Sequence, residues 1–188
     1  MKIEQILDLK HKILLLNQRI TIDFAKLFLE GLHIISSETN SFKIVINSVG
    51  GKKDQAVDIG IALWKLNSPD YSIEGVVTKQ ALSSAFYVLQ NCQVRSALIN
   101  SELMWHRVGN IIPDSVDPTK KISNPATPKQ LQDEVKLNEF IAYRSNRTIE
   151  EVYKLANEDR IMKPIEAKAL GFIDVIYNET PPWLTKGV

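Results

Sequence analysis

The sequence predicts a single α/β domain built around a largely parallel β-sheet. Short strand-like runs alternate with longer stretches whose apolar residues recur at helical spacing, an order typical of βα units. The 188 residues are 44% hydrophobic, which is enough to bury one substantial core, and no Gly/Ser-rich or charge-rich linker divides them. We therefore expect one domain that spans residues 1–188.

Composition and charge exclude several classes of function. The chain has 23 Lys and Arg against 22 Asp and Glu, so it lacks the basic excess of a nucleic-acid-binding protein. The longest apolar run near the start, at 13–16, is too short for a signal peptide or a membrane span. Cys92 is the only cysteine, and no Cys/His set at metal-ligand spacing accompanies it, so we expect it to pack in the core. The sequence thus predicts a cytoplasmic protein without membrane contact, cofactor or metal.

Strands and helices alternate regularly in the first half of the chain. We predict a strand and turn at 12–21, a helix at 24–35, a buried strand at 42–51 and a helix at 56–66. The run YSIEGVVT is again strand-like, and TKQALSSAFYVLQNC is interpreted as a small-residue turn followed by an apolar helix. The stretch RSALINSELMWHRV is predicted to be one strand with His106 near its end. Two βα turns and one strand end therefore carry polar residues, where sheets of this kind place ligand sites.

The regular pattern is interrupted between Gly109 and Pro128. Four prolines, at positions 113, 118, 125 and 128, occur with Asn, Asp, Ser and Thr, a composition that predicts irregular structure. Thr127 and Pro128 then form an N-cap and N1 pair for a helix that continues to about Asn146. The predicted apolar stripe of this helix consists of Leu131, Val135, Leu137, Phe140 and Ile141.

The end of the chain predicts two more helices and a strand. Thr148 and Glu151 have the spacing of a capping box, so a helix is expected to begin there. The run KPIEAKALGFIDVIY predicts a short helix that stops at Gly171, followed by a strand. No internal repeat or low-complexity tract is evident.

Paired glycines and paired serines stand at two of the βα turns. Gly50 and Gly51 permit positive φ angles, so the backbone there can turn sharply and present N–H groups to a ligand, although a plain turn also explains them. No G-K-[ST] follows, as a phosphate loop would need. Ser83 and Ser84 stand where a serine usually caps a helix. A nucleophilic serine would in addition need a base and backbone donors for an oxyanion.

Three polar motifs, INSVGG, KQALSSAF and NSELMWH, follow one another along the chain. This order resembles the proteolytic subunit of the Clp protease, with its I-N-S-P-G-G, G-Q-A-A-S-M-G and P-N-S-R-V-M-I-H. Val49 replaces the proline of the first motif. The matches in the other two are Gln80, Ala81, Ser83, Asn100, Ser101, Met104 and His106. A fourth segment, TIEEVYKLANEDRIMKPIEAKALGFID, aligns without gaps, so the resemblance covers about residues 14–175.

The resemblance implies a serine peptidase site. By matching position, Ser83 is the nucleophile and His106 the general base, for which a packed core histidine is the alternative interpretation. The N–H groups of Ser84 and of one of Gly50 and Gly51 would hold the oxyanion. A sharp strand-to-helix turn would place Ser83 at a helix N-terminus in either role, as cap or as nucleophile.

The third member of the triad departs from the family pattern. In the gapless alignment the catalytic aspartate falls on Leu155, which cannot orient an imidazole, so the triad as aligned is incomplete. Asn157 and Asp159 are predicted as substitutes, but Asp159 matches another family aspartate and is alternatively an oligomer contact or a surface charge. Lys79, where the family has glycine, would permit a Ser/Lys dyad, with a solvent-facing lysine as the alternative.

The resemblance also implies a fold and an assembly. The expected fold is the ClpP/crotonase-like spiral of βα units, and the expected assembly is a homo-oligomeric chamber built from heptameric rings. Prolines interrupt the region in which the family begins its long handle helix, so we predict a remodelled handle at about residues 109–147. Peptides or unfolded proteins are the implied substrates, and an ATPase unfoldase is a doubtful partner because the N-terminus is short.

Three functions fit these observations. The first is a Clp-type serine endopeptidase. The second is a catalytically impaired paralogue with a structural or regulatory role, in which Leu155 marks lost chemistry. The third is a crotonase-like acyl-CoA enzyme, which shares the spiral and holds an enolate with paired N–H groups but has no need of Ser83 with His106.

Overall fold

The computed structural model describes residues 1–107 and 127–184 of the chain. The described residues form one seven-stranded sheet with helices packed against it. Its strands are β1 (Leu7–Asp8), β2 (Ile13–Leu16), β3 (Ser41–Ser48), β4 (Ser72–Leu82), β5 (Val94–Leu98), β6 (Glu102–Met104) and β7 (Val175–Tyr177). The α-helices are α1 (Ile22–Glu38), α2 (Lys53–Lys65), α3 (Ser84–Gln90), α4 (Pro128–Ser145), α5 (Ile149–Glu158) and α6 (Pro164–Ala169). No helix in the described ranges is long and apolar enough to cross a bilayer.

The sheet is largely parallel, as predicted. Its strand order is β1-β2-β3-β4-β5-β7, with β6 paired to β4. All pairings are parallel except that of β1 with β2. All four residues of β2 are buried, as is typical of strands in a parallel sheet that helices cover. The predicted α/β fold class is confirmed.

Local capping signals determine where several helices begin. The Thr127 side chain accepts from the backbone of Gln130 at the start of α4, and Thr148 accepts from Glu151 at the start of α5. Both pairs form complete capping boxes, as the residue types predict. The irregular segment predicted before α4 lies, up to residue 126, outside the described residues, so the remodelled handle stays a prediction.

Strand β4 pairs with two different strands along its length. Its residues 74–77 pair with β5, whereas residues 80–82 pair with β6. The sequence interpretation differed here in two ways. The predicted turn at 78–82 is the end of β4, and the single strand predicted around 95–108 is two strands separated by a turn in which Ser101 N–H donates to Leu98 O at 2.9 Å. Periodicity cannot reveal such an exchange because it depends on pairing between distant segments.

An ion pair made by the buried Arg95 side chain connects β5, α3, α4 and the turn that precedes β7. Arg95 on β5 donates to both carboxylate oxygens of Asp174, at 3.0 Å from Nε and 2.6 Å from Nη2. Its Nη1 donates to Gln90 Oε1 at the end of α3 and to the carbonyl of Arg144 near the end of α4.

Cys92 is buried nearby, and burial raises the pKa of its thiol to about 12, which makes a nucleophilic role unfavourable.

Candidate active site

Ser83 lies between β4 and α3 in an unusual backbone conformation. Its φ is 56° and its ψ is −124°, a region that residues other than glycine rarely adopt. The conformation is held by Ser83 N–H, which donates to Met104 O at 2.8 Å, and by Ser83 O, which accepts from Tyr87 N–H at 3.3 Å. The side chain does not cap α3. The hydroxyl is therefore available for another partner.

That partner is His106. Ser83 Oγ lies 2.7 Å from His106 Nε2, within hydrogen-bond distance. The two residues meet because Leu82 pairs with Met104 across β4 and β6, so the ends of both strands lie side by side. The His106 side chain is 18% exposed, which leaves a path for a substrate. The alternative of a core histidine without a polar partner does not describe this site.

A carboxylate faces the other nitrogen of the imidazole. Asp159 Oδ1 lies 3.4 Å from His106 Nδ1. Asp159 ends α5 in the left-handed conformation, with φ of 53° and ψ of 34°. The chain that follows is tied to β6 by two backbone hydrogen bonds between Leu103 and Met162, of 3.0 and 2.7 Å. This tie brings Asp159 to the site.

The residues predicted for the third position differ in where they lie. Leu155 is half-buried and packs against the hydrophobic core. Asn157, the other predicted substitute, is exposed on α5 and makes no described contact with His106. Of the two predicted substitutes, Asp159 is the one that lies beside the imidazole. Lys79 is exposed and forms no described hydrogen bond with Ser83, so no Ser/Lys dyad is present.

Burial determines the protonation of the imidazole. Desolvation lowers the pKa of His106 below its ordinary value, and the charge of Asp159 only partly opposes this effect. The ring is therefore mainly neutral at pH 7. With its proton on Nδ1, facing Asp159, the ring presents a free lone pair on Nε2 to the Ser83 hydroxyl.

The glycine turn packs directly against the start of α3. Gly50 has a φ of 87°, and a Cβ there would lie 2.5 Å from Leu82 O and 2.9 Å from Ser84 N. A Cβ on Gly51, whose φ is 154°, would lie 2.3 Å from Ile20 O. Only glycine fits such close approaches of backbone to backbone. The turn and the Ser84 amide are consequently neighbours.

The two glycines differ in what their N–H groups do. Gly50 N–H donates to Ser48 Oγ at 3.1 Å and is engaged. Among the hydrogen bonds of the described residues, none uses Gly51 N–H. Ser84 is the first residue of α3, where an N–H has no acceptor within the helix. Of the two glycines left open by the sequence, Gly51 is the one whose N–H is not engaged in a described hydrogen bond.

Two polar residues on α4 were not anticipated from the sequence. Glu134 and Asn138 lie on the buried face of the helix, whereas Leu131 and Val135 of the predicted apolar stripe are 44% and 39% exposed. The predicted stripe is correct at Leu137, Phe140 and Ile141, which pack in or against the core, and wrong at the two exposed positions. A possible signal was the i, i+4 spacing of Glu134 and Asn138 next to Leu137, which puts them on one face. Among the described residues, no group of three or more His, Cys, Asp or Glu side chains comes together as a metal site.

The chain is similar to known proteins over most of its length. It is 26% identical over 174 residues to the ATP-dependent Clp protease proteolytic subunit 3 of Streptomyces avermitilis, which covers 89% of this chain and 75% of that protein. Its fold is similar to the ClpP protease catalytic domain from Plasmodium falciparum, with a TM-score of 0.75, 23% identity and coverage of 93% of this chain and 89% of that one. For a ClpP1 point mutant from Listeria monocytogenes the TM-score is 0.77, with 20% identity and coverage of 94% and 96%. The Clp protease family model matches residues 2–180, and the chain therefore belongs to the Clp protease family.

Proposed function

We propose that the protein is a Clp-type serine endopeptidase with Ser83 as nucleophile and His106 as general base. The observation that carries the proposal is the 2.7 Å separation of Ser83 Oγ and His106 Nε2. A nucleophile and its base within hydrogen-bond reach, with a third group at the far side of the base, form the arrangement that activates a serine. Membership of the Clp protease family supports the same chemistry.

The first half of the proposed reaction forms an acyl-enzyme. Ser83 Oγ attacks the carbonyl carbon of the scissile peptide bond while His106 Nε2 accepts the hydroxyl proton. The tetrahedral oxyanion accepts hydrogen bonds from the N–H groups of Gly51 and Ser84. The C–N bond then breaks, and His106 gives its proton to the leaving amine.

The second half returns the enzyme to its starting state. His106 takes a proton from a water molecule, which attacks the acyl carbon, and the ester bond to Ser83 breaks with return of the proton to Oγ. Asp159 stabilises the imidazolium that forms twice in the cycle. At 3.4 Å from Nδ1 it acts by its charge, since a charge-assisted hydrogen bond would be about 2.7–2.9 Å long.

This reaction is favoured over the two alternatives by specific contacts. The impaired-paralogue interpretation rested on Leu155, and a carboxylate lies at His106 Nδ1 in spite of that residue. The acyl-CoA interpretation requires only the paired N–H groups, and it leaves the contact between Ser83 and His106 without a purpose.

The proposal extends to the assembly and its substrates. We propose a cytoplasmic homo-oligomer in which the site faces an enclosed chamber, as the heptameric ring of the resembling family implies. Peptides or unfolded proteins are the proposed substrates. Dependence on an ATPase unfoldase is a separate question, which peptidase assays with and without such a partner would answer.

An active-site serine probe tests the reaction. The assembled protein is treated with a fluorophosphonate, and the modified peptide is identified by mass spectrometry. We expect modification of Ser83 in the wild type, none in Ser83→Ala, and hydrolysis of an unstructured protein that the probe abolishes. Ser72→Ala, at the opposite end of β4, is the matched control and should react like the wild type. An assembled wild-type protein that neither reacts nor hydrolyses peptides would contradict the proposal.

A further inference from the structure

Helix α4 contacts both chain neighbours of His106. Trp105 Nε1 donates to Asn138 Oδ1 at 2.7 Å, and Arg107 Nε donates to Glu134 Oε1 at 2.9 Å. Glu134 and Asn138 are one helical turn apart, so both acceptors lie on the same face of α4. We call these two hydrogen bonds the α4 clamp.

The clamp acts where the sheet no longer holds the chain. Strand β6 ends at Met104, so the pairing with β4 stops two residues before His106. The contacts show that residues 105 and 107 face α4, whereas His106 faces Ser83. The direction of the imidazole therefore depends on the side chains on either side of it.

Burial makes the clamp sensitive to substitution. Asn138 is fully buried, Glu134 is 1% exposed and Trp105 is 4% exposed. Water has little access to the Asn138 amide and the Glu134 carboxylate, so both groups favour the observed partners, although the Arg107 side chain itself is 48% exposed. The Trp105 ring also stacks on Phe86 of α3, with centroids 6.2 Å apart, which joins the clamp to the helix that follows Ser83.

The side chains of Asn138 and Glu134 each have one described hydrogen-bonding partner, which is Trp105 for Asn138 and Arg107 for Glu134. Glu134 Oε2 and Asn138 Nδ2 are buried and form no hydrogen bond among the described residues. Without the indole N–H of Trp105, the buried amide of Asn138 would have no hydrogen-bonding partner among the described residues. Without the guanidinium of Arg107, the same would hold for the carboxylate of Glu134. A shift of the 105–107 segment that gives these groups another partner would move His106 with it.

We infer that Asn138 and Glu134 are positioning residues for His106, which act through Trp105 and Arg107 to keep the imidazole at Ser83 Oγ. The inference rests on the proposed function in treating His106 as the base. Its geometric content, that α4 determines the direction of the imidazole, can be measured without any reaction.

The test uses Asn138→Leu and Trp105→Phe in the assembled protein. Asn138→Leu replaces the amide by an apolar group of the same branched shape, and Trp105→Phe removes the indole N–H together with part of the ring. The matched control is Ser145→Ala, which removes a buried hydroxyl of the same helix whose hydrogen bonds go to Ile141 O, at 2.7 Å, and Ala142 O. The thermal midpoint of each variant is measured first, so that losses of stability can be compared.

Two readouts are combined. The first is the NMR titration of ¹³C-labelled histidine, in which His106 is one of three signals and is assigned with His106→Gln. The second is the rate of fluorophosphonate modification of Ser83. We expect the clamp variants to lower this rate by about 10- to 100-fold, because small misplacements of a catalytic group have effects of that size. We also expect the His106 midpoint to rise toward its ordinary value of about 6.5, because water reaches a ring that burial had protected.

The controls separate positioning from stability and from the proposed reaction. Ser145→Ala should lower the thermal midpoint and change neither readout. The double variant Trp105→Phe/Asn138→Leu, which removes both polar partners, should regain stability but not rate. The inference would be overturned by folded clamp variants in which both the titration midpoint of His106 and the modification rate of Ser83 equal those of the wild type. If the wild type does not react with the probe, the proposed reaction fails, and the NMR midpoint alone then decides for or against the clamp.

Discussion

Asp159 and His106 form the contact that completes the candidate triad, with 3.4 Å between Oδ1 and Nδ1. Neither residue lies within a strand or helix, since Asp159 caps the end of α5 and His106 follows β6. Their contact depends on the backbone hydrogen bonds that join Leu103 to Met162. The geometry of the triad is therefore tied to one short antiparallel bridge beside the sheet.

Asp159→Asn should impair the reaction without unfolding the protein. The amide retains the volume but cannot stabilise the imidazolium, so we expect the rate of peptide hydrolysis to fall by about 10²- to 10⁴-fold. Because the side chain is 35% exposed, the loss of stability should stay below about 1 kcal/mol in urea unfolding. Asn157→Ala, an exposed substitution on α5, is the control and should keep the full rate. Equal rates for Asp159→Asn and the wild type would remove Asp159 from the triad.

The rate should depend on pH through His106. The pKa of this group is lowered by burial, so the neutral imidazole that can accept a proton predominates above a midpoint lying below about 6.5. The modification rate of Ser83 should thus fall as the pH drops through that midpoint and be constant near neutrality. Because the charge of Asp159 raises the pKa of His106, Asp159→Asn should move the midpoint to lower pH. A wild-type midpoint above about 7 would contradict this assignment.

Gly51→Ala should abolish most activity. A Cβ at this position would lie 2.3 Å from Ile20 O, so the turn must move and its N–H must leave the proposed oxyanion site. Loss of one such donor lowers kcat by about 10²- to 10³-fold. Gly31→Ala on α1 is a control for packing, since its Cβ would meet the end of the Leu14 side chain at 2.7 Å, far from the site. If both variants lose stability alike but Gly51→Ala keeps its rate, Gly51 does not serve the oxyanion.

Asp174→Asn should destabilise the fold at neutral pH. It leaves the buried guanidinium of Arg95, 7% exposed, without its bidentate partner, and we expect a loss of about 2–3 kcal/mol in the free energy of unfolding. Asp70→Asn, at an exposed position, is the control and should change little.

We expect the ion pair of Arg95 and Asp174 to make the stability of the fold depend on pH in the acid range. Burial alone would raise the pKa of Asp174, but the hydrogen bonds and charge of Arg95 lower it below its ordinary value. The unfolded chain therefore binds a proton at higher pH than the folded one does. The contribution of the ionised pair to the free energy of unfolding is complete above about pH 4, and it is lost as the pH falls through the lowered pKa of Asp174. The difference between the wild type and Asp174→Asn should shrink in that range, and a difference that is constant down to pH 2 would exclude the ionised pair as its source.

Much of the local structure was determined by the sequence. Thr127 and Thr148 begin helices because their hydroxyl groups satisfy N–H groups only a few residues away. The alternation of strands and helices, and the glycines at the turn after β3, likewise depend on short-range periodicity and backbone sterics. The order of three motifs was sufficient to point to Ser83 and His106 together, and to the family.

Only the tertiary structure decided which residue faces the far side of His106. A gapless alignment counts positions along α5, but the helix ends before Asp159, and the left-handed turn and the bridge to β6 then set the direction of that side chain. The exchange of partners along β4 and the polar buried face of α4 were hidden for the same reason. Each results from the packing of segments that are distant in the chain, which neither the spacing nor the periodicity of residues encodes.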